Sequence, residues 1–178
     1  MRQRIIDPMP GAGGVTKWLL STALAASLAL SATGSQAANC TVSVVSPLNF
    51  GSYDTINPLP GSTVITVTCT RSGGKGEVVP ITIALSSGPG SYAARQMNLI
   101  SGPDVMFYNL YTTAARTQVW GDGTAGTAVV SNTINLPPGG GNPPNTTTYT
   151  VYGLVGGNQN LMAGNYQTLS PITVTLTF

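Results

Sequence analysis

Residues 63–70 read Thr-Val-Ile-Thr-Val-Thr-Cys-Thr, an alternation of β-branched residues with small polar ones. Because successive side chains of a strand point to opposite faces of its sheet, this period of two predicts a half-buried β-strand. The C-terminal residues 172–178 (ITVTLTF) alternate in the same way. One face of that stretch carries threonines, and the other carries the apolar residues that we expect to face a core: Ile172, Val174, Leu176 and Phe178.

Further short strands are predicted on both sides of residues 63–70. They cover residues 41–45, 48–53, 78–86, 105–112, 117–120, 128–136, 147–155 and 171–178. Gly, Pro, Asn and Asp separate these runs, and no segment after residue 37 has helical periodicity. Turn chemistry recurring about every 8 to 12 residues is typical of a β-sandwich. The sequence therefore predicts an all-β protein with one immunoglobulin-like domain over residues 38–178.

The first 37 residues are expected to direct export. Arg2, Arg4 and Lys17 precede an uncharged run of 13 residues, 18–30, and small residues at positions 35–37 predict cleavage after Ala37. A run of that length is shorter than the roughly 20 residues needed to cross a membrane. We therefore expect a signal peptide at residues 1–37 and a mature chain, residues 38–178, without a membrane span.

Charged residues are scarce in the predicted mature chain. Four basic side chains balance four acidic ones: Arg71, Lys75, Arg95 and Arg116 against Asp54, Glu77, Asp104 and Asp122. Nucleic-acid binding requires clustered Lys and Arg to displace phosphate counterions, so this chain is not expected to bind nucleic acid. Low charge also removes the repulsion that keeps monomers apart, which suits packing against copies or partners.

The residues that usually perform catalysis are missing or scattered. The chain contains no histidine, the commonest general base and metal ligand, and no two mature carboxylates lie within three residues of each other. Residues 121–126 match the G-x-G-x-x-G pattern, but a predicted strand follows them instead of the required helix. We therefore expect no enzyme activity, no cofactor and no metal.

The two cysteines, Cys40 and Cys69, both lie in the predicted mature chain. An even number of cysteines in an exported protein predicts a disulfide bond. Closing a loop of about 30 residues contributes roughly 3 to 4 kcal/mol to stability by the chain-entropy estimate.

Several short motifs occur together in a characteristic order. They are residues 40–44 (CTVSV), 50–54 (FGSYD), 67–70 (VTCT), 91–97 (SYAARQM), 108–124 (YNLYTTAARTQVWGDGT) and a tail with Ala163-Gly-Asn-Tyr166 and 173–178 (TVTLTF). In this order and spacing the mature chain resembles the spore coat protein U domain family, which includes subunits of archaic chaperone–usher pili.

The resemblance implies an incomplete sandwich that lacks its last strand. A periplasmic chaperone would lend that strand, and a neighbouring pilus subunit would replace it after transfer through an outer-membrane usher. The acceptor edge would run along Ile172, Val174, Leu176 and Phe178, and the family's cysteine pair maps onto Cys40 and Cys69. The implied location is the periplasm in transit and then the cell surface, with a role in adhesion or biofilm formation.

One departure from the family concerns strand donation. Only Ala38 and Asn39 would precede Cys40 after cleavage, whereas fibre subunits carry a longer donor segment there. We therefore expect a subunit that accepts a strand without giving one, as at a pilus tip. The alternative is a free-standing secreted adhesin or lectin-like module that uses residues 88–91 or 137–144 to grip a sugar or surface.

Overall fold

The computed structural model describes residues 38–141 and 143–178. The predicted signal peptide, residues 1–37, lies outside the described residues, so its presence and its cleavage site stay predictions. The described residues form strands, turns and loops and contain no helix.

Nine strands succeed one another in this part of the chain. They are β1 (Asn39–Val44), β2 (Leu59–Thr70), β3 (Glu77–Leu85), β4 (Arg95–Leu99), β5 (Val105–Tyr111), β6 (Val130–Leu136), β7 (Asn145–Val155), β8 (Tyr166–Gln167) and β9 (Val174–Thr177). One sheet has the order β1-β2-β7-β5-β4-β8 and the other the order β6-β3-β9, with every pair antiparallel. Their inner faces share one apolar core, which confirms the predicted all-β, immunoglobulin-like sandwich.

The longest ladder joins β2 to β7, from Leu59 opposite Val155 to Cys69 opposite Asn145. On β2 the side chains of Ile65, Val67 and Cys69 are buried, and the threonines between them are half-buried on the outer face. The predicted period of two is therefore present, because one face of β2 packs in the core and the other contacts solvent.

The predicted disulfide is confirmed. β1 pairs with β2 so that Cys40 lies directly opposite Cys69, and a disulfide joins them across 29 residues of sequence. The bond fixes the first strand to the end of β2 on the core side of the sheet.

The smaller sheet is centred on β3, which pairs with β6 along Glu77–Ile83 and with β9 from Thr82 to Leu85. Pro80 lies in the part of β3 that has only β6 as a partner. A proline lacks the N–H of other residues, so it is tolerated where one side of the strand is unpaired.

The sheets enclose a fully buried indole at Trp120, whose Nε1–H donates to the Ile83 carbonyl at 3.0 Å. Residues 117–120, predicted as a strand, form only isolated bridges. The chain there crosses from one sheet to the other and pairs with neither sheet at length.

Three other expectations about strands were wrong. Residues 48–53 form no strand, β2 begins at Leu59 inside the expected turn, and β4 and β8 were not predicted. β4 was missed because its inward position is held by Arg95, a charged residue that breaks the apolar alternation. In residues 48–53, Leu48 and Phe50 pack against glycines of β2 and β7, so side-chain contacts hold this segment in place of a ladder.

Candidate functional site

The strand β9 forms one edge of the smaller sheet. The Ser86 N–H donates to the Thr173 carbonyl at 2.9 Å, which places the backbone groups of Thr173, Thr175 and Thr177 toward β3. Backbone groups alternate sides along an antiparallel strand, so those of Ile172, Val174 and Leu176 point to the open edge. Among the described residues, none hydrogen-bonds to these open-edge groups. Unpaired groups of this kind are a template for a further strand.

An apolar groove lies beside this edge, between β9 and the chain that follows β1. Its volume is about 520 Å³, and its surface is mostly apolar. The groove is lined by side chains from both sheets and from residues 44–50, notably Val44, Leu48, Phe50, Ile65, Met97, Tyr108, Leu110, Val151, Ile172 and Val174. The open edge and the groove together have the shape and polarity that an extended, alternating apolar strand requires.

The four residues expected at the acceptor edge are not equivalent. Ile172 and Val174 line the groove, and both are half-buried against the core. Leu176 also packs on the core but lies beyond the groove, near β1. Phe178 is 53 % exposed. The open space is therefore concentrated at the Ile172 end of β9.

Beneath Leu48 and Phe50, which line the groove, lies a pair of glycines that sequence reasoning missed. Gly61 of β2 lies directly opposite Gly153 of β7. Leu48 and Phe50 pack into the space that two β-carbons would otherwise occupy, and the Phe50 ring meets the Tyr108 ring edge-on with centroids 5.6 Å apart. The signal in the sequence was Gly153 inside the alternating strand 147–155, since a glycine within a strand often marks a close approach by another group, whereas Gly61 lay in an expected turn.

At the opposite edge of the smaller sheet, side chains bond to two backbone groups of β6. On β6, the Thr133 N–H donates to the Asn132 side-chain oxygen at 2.8 Å, and Asn145 Nδ2 donates to the Asn135 carbonyl at 2.8 Å. These bonds satisfy backbone groups on the side of β6 away from β3. Among the described residues, two outward backbone groups of β6 thus have side-chain partners, whereas those of Ile172, Val174 and Leu176 have none.

A buried arginine fixes the Ile172 end of the groove. Arg95 donates to the carbonyls of Ser86 and Trp120 and to the Asn109 side-chain oxygen. Ser86 in turn accepts from the Thr173 N–H through its hydroxyl at 2.9 Å. Burial lowers the pKa of Arg95, and nearby tyrosines, Tyr108 first, oppose that shift.

A second, shallower cleft of about 450 Å³ lies between residues 87–93 and 119–127. Gly90 and Ser91, from the loop suggested for sugar binding, line it together with Tyr92, and residues 137–144 do not. The Arg95 guanidinium carbon lies 5.4 Å from the centre of the Tyr92 ring. The cleft therefore combines hydroxyl groups with one aromatic ring.

No group of three or more His, Cys, Asp or Glu side chains comes together within residues 38–141 and 143–178. The Asp122 carboxylate accepts from the Thr124 N–H and hydroxyl, at 2.9 and 2.6 Å, and these bonds lower the pKa of Asp122. This is the geometry of a tight turn.

Within residues 38–141 and 143–178, no helix has the length and apolar character of a membrane crossing.

Comparison with known proteins agrees with this architecture. The model of the Spore Coat Protein U domain matches residues 26–175. A search of the curated proteins found no match. The family is associated with exported subunits of chaperone–usher pili and coats, and it is a structural family, not an enzyme family. With most of its length matched, the chain belongs to the Spore Coat Protein U domain family.

Proposed function

We propose that this chain is an exported subunit of a surface pilus or coat fibre, completed by a strand from another protein. A periplasmic chaperone occupies the groove first, an outer-membrane usher receives the complex, and a segment of another pilus subunit then replaces the chaperone. The assembled fibre serves adhesion or biofilm formation. In this proposal residues 1–37 are the export signal and residues 38–178 are the assembled domain.

One observation carries the proposal: the open backbone edge at Ile172 and Val174 runs along an apolar groove that reaches the core. Burial of apolar surface stabilises by about 25 cal/mol per Å². An added strand would cover Leu110, Val151 and Ile172 and would pair with β9 at the same time. Strand addition combines backbone hydrogen bonds, which supply affinity, with the burial of alternate side chains, which supplies specificity.

The proposal is tested by expressing the full chain in a bacterial periplasm, with and without a chaperone of the chaperone–usher class. We expect a one-to-one complex on size-exclusion chromatography with the chaperone, and degradation or aggregation without it. The intact mass gives the mature N-terminus, with cleavage expected after Ala37. A stable, folded monomer obtained without any chaperone would contradict the proposal.

A second candidate function is a free-standing binding module that does not polymerise. The cleft at residues 87–93 favours it, because a tyrosine ring beside several hydroxyl groups is a surface that sugars can stack on and bond to. A monomer that binds immobilised glycans, and loses binding with Tyr92→Ala, would support this module over the fibre subunit.

A further inference from the structure

The Gly61–Gly153 pair beneath Leu48 and Phe50 provides space for these two side chains and is not required by the backbone conformation. Neither Gly61 nor Gly153 has the positive φ that favours glycine. A β-carbon at Gly153 would lie 2.7 Å from Leu48 Cδ2 and 2.7 Å from Phe50 Cε1, and one at Gly61 would lie 3.0 Å from Phe50 Cδ1. An alanine at Gly153 would therefore have to displace both of these side chains.

Phe50 stands between this glycine pair and the open groove. Leu48 lines the groove with it, as do Ile172 and Val174 from the open edge. Its ring is half-buried and meets Tyr108 at an interplanar angle of 64°. Because residues 47–54 belong to no strand, side-chain packing and one short turn, with the Gly51 N–H donating to the Asn49 side chain at 2.8 Å, set the ring's position.

We propose that Phe50, seated with Leu48 on the Gly61–Gly153 pair, sets the size of the side chain that the groove admits from an incoming strand. This rests on the proposed function, in which the groove takes an extended segment of alternating apolar residues. Removing the ring widens the groove at this point. Adding a methyl group beneath it, at Gly153, pushes the ring outward and narrows the groove. The two changes shift the size preference in opposite directions.

The experiment uses the full chain, exported, purified and refolded from denaturant in the presence of labelled peptides. The probes are ten-residue peptides that alternate threonine with valine, in which each valine in turn is replaced by Ala, Leu or Trp. Dissociation constants are measured by fluorescence anisotropy. We expect one position at which the unsubstituted chain prefers Leu to both Ala and Trp.

At that position, Phe50→Ala should change the ratio of the dissociation constants for the Trp and Leu peptides by tenfold or more in favour of Trp. Gly153→Ala should change the ratio for the Leu and Ala peptides by a similar factor in favour of Ala. Tenfold is the lower end of what one misfitted group changes in an apolar pocket. Phe107→Ala, at a residue 44 % exposed on β5 and absent from the groove lining, is the matched control and should leave both ratios unchanged.

A general loss of stability would weaken all peptides alike and would leave the ratios constant, so the ratio separates size selection from a structural role. If Gly153→Ala does not fold, Gly61→Ala, with its longer contact of 3.0 Å, replaces it. If the variants still capture peptides but every ratio stays within twofold of that of the unsubstituted chain, the size rule is overturned and the proposed function is not. Failure of the unsubstituted chain to capture any peptide overturns the proposed function, and the size rule with it.

Discussion

The guanidinium of Arg95 holds the backbone carbonyl of Ser86 with two donors, Nη2 at 2.9 Å and Nε at 3.4 Å. This contact links β4 of the larger sheet to the end of β3 in the smaller sheet. Since Ser86 also bonds to Thr173, the arginine fixes the point at which the chain joins the edge of the smaller sheet. The buried guanidinium of Arg95 thus positions the backbone at the Ile172 end of the groove.

Arg95→Met should lower the free energy of unfolding by about 2 to 5 kcal/mol. The substitution leaves the carbonyls of Ser86 and Trp120 without their donor, and a buried polar group left unpaired costs about 1 to 3 kcal/mol. Urea unfolding measures the change. Lys75→Met, at an exposed position, is the control and should stay within about 0.5 kcal/mol. A loss at Arg95 no greater than that of the control would contradict the role of the arginine.

Replacing both cysteines, Cys40→Ser with Cys69→Ser, should lower stability by about 3 to 4 kcal/mol. The bond closes a loop of 29 residues, and its loss frees that loop in the unfolded chain. The unfolding midpoint of the variant should match that of the unsubstituted chain in reducing agent. Equal midpoints for the oxidised and reduced protein would exclude this contribution.

Val174→Asp should reduce capture of a complementing strand by at least tenfold. Its side chain lines the groove, where a carboxylate would be stripped of water by the incoming strand. Thr175→Asp adds the same charge to the exposed face of the same strand and should change capture less than threefold. Peptide anisotropy on both variants provides the comparison. Equal losses would show that the charge acts on the sheet in general and not on the groove.

The unfolding free energy should fall at alkaline pH because of Tyr108. Burial raises the pKa of the Tyr108 hydroxyl above its ordinary value of 10.0, and Arg95 partly opposes this effect. A raised folded pKa means that the contribution is fully present below about pH 10 and is lost as pH rises through the folded pKa. Urea unfolding from about pH 9 to 12 measures the slope, and Tyr108→Phe should reduce it. Identical slopes for the two proteins would refute the assignment.

Much of the fold could be predicted from local patterns. The alternation in residues 63–70 and 147–155 identified the long central strands, because one face of each packs in the core and the other contacts solvent. Cys40 and Cys69 predicted the disulfide from export and an even count. The terminal alternation predicted that Ile172 and Val174 face the core, and the family resemblance implied that they border an acceptor edge. The structure places both on the groove.

The groove itself could not be read from any one segment. Phe50 lay in an expected strand, but the space that it fills is made by Gly61 and Gly153, which are 92 residues apart and meet only through the β2–β7 register. Arg95 interrupts the apolar alternation of β4, and its burial is possible only because the carbonyls of Ser86 and Trp120, from other parts of the chain, accept its hydrogen bonds. Contacts between distant segments leave no period in the sequence.

By itself, then, the sequence determined that the chain forms strands of alternating apolar and polar residues, that one disulfide joins two of them and that they carry few charged side chains. These properties are local or compositional, so they survive without knowledge of the pairing. Only the tertiary structure decided which edge stays open. The Asn132 and Asn145 side chains cover backbone groups of β6, while β9 keeps its outward groups beside an apolar groove. Which backbone groups remain unpaired depends on how distant strands assemble, and that is a property of the folded chain alone.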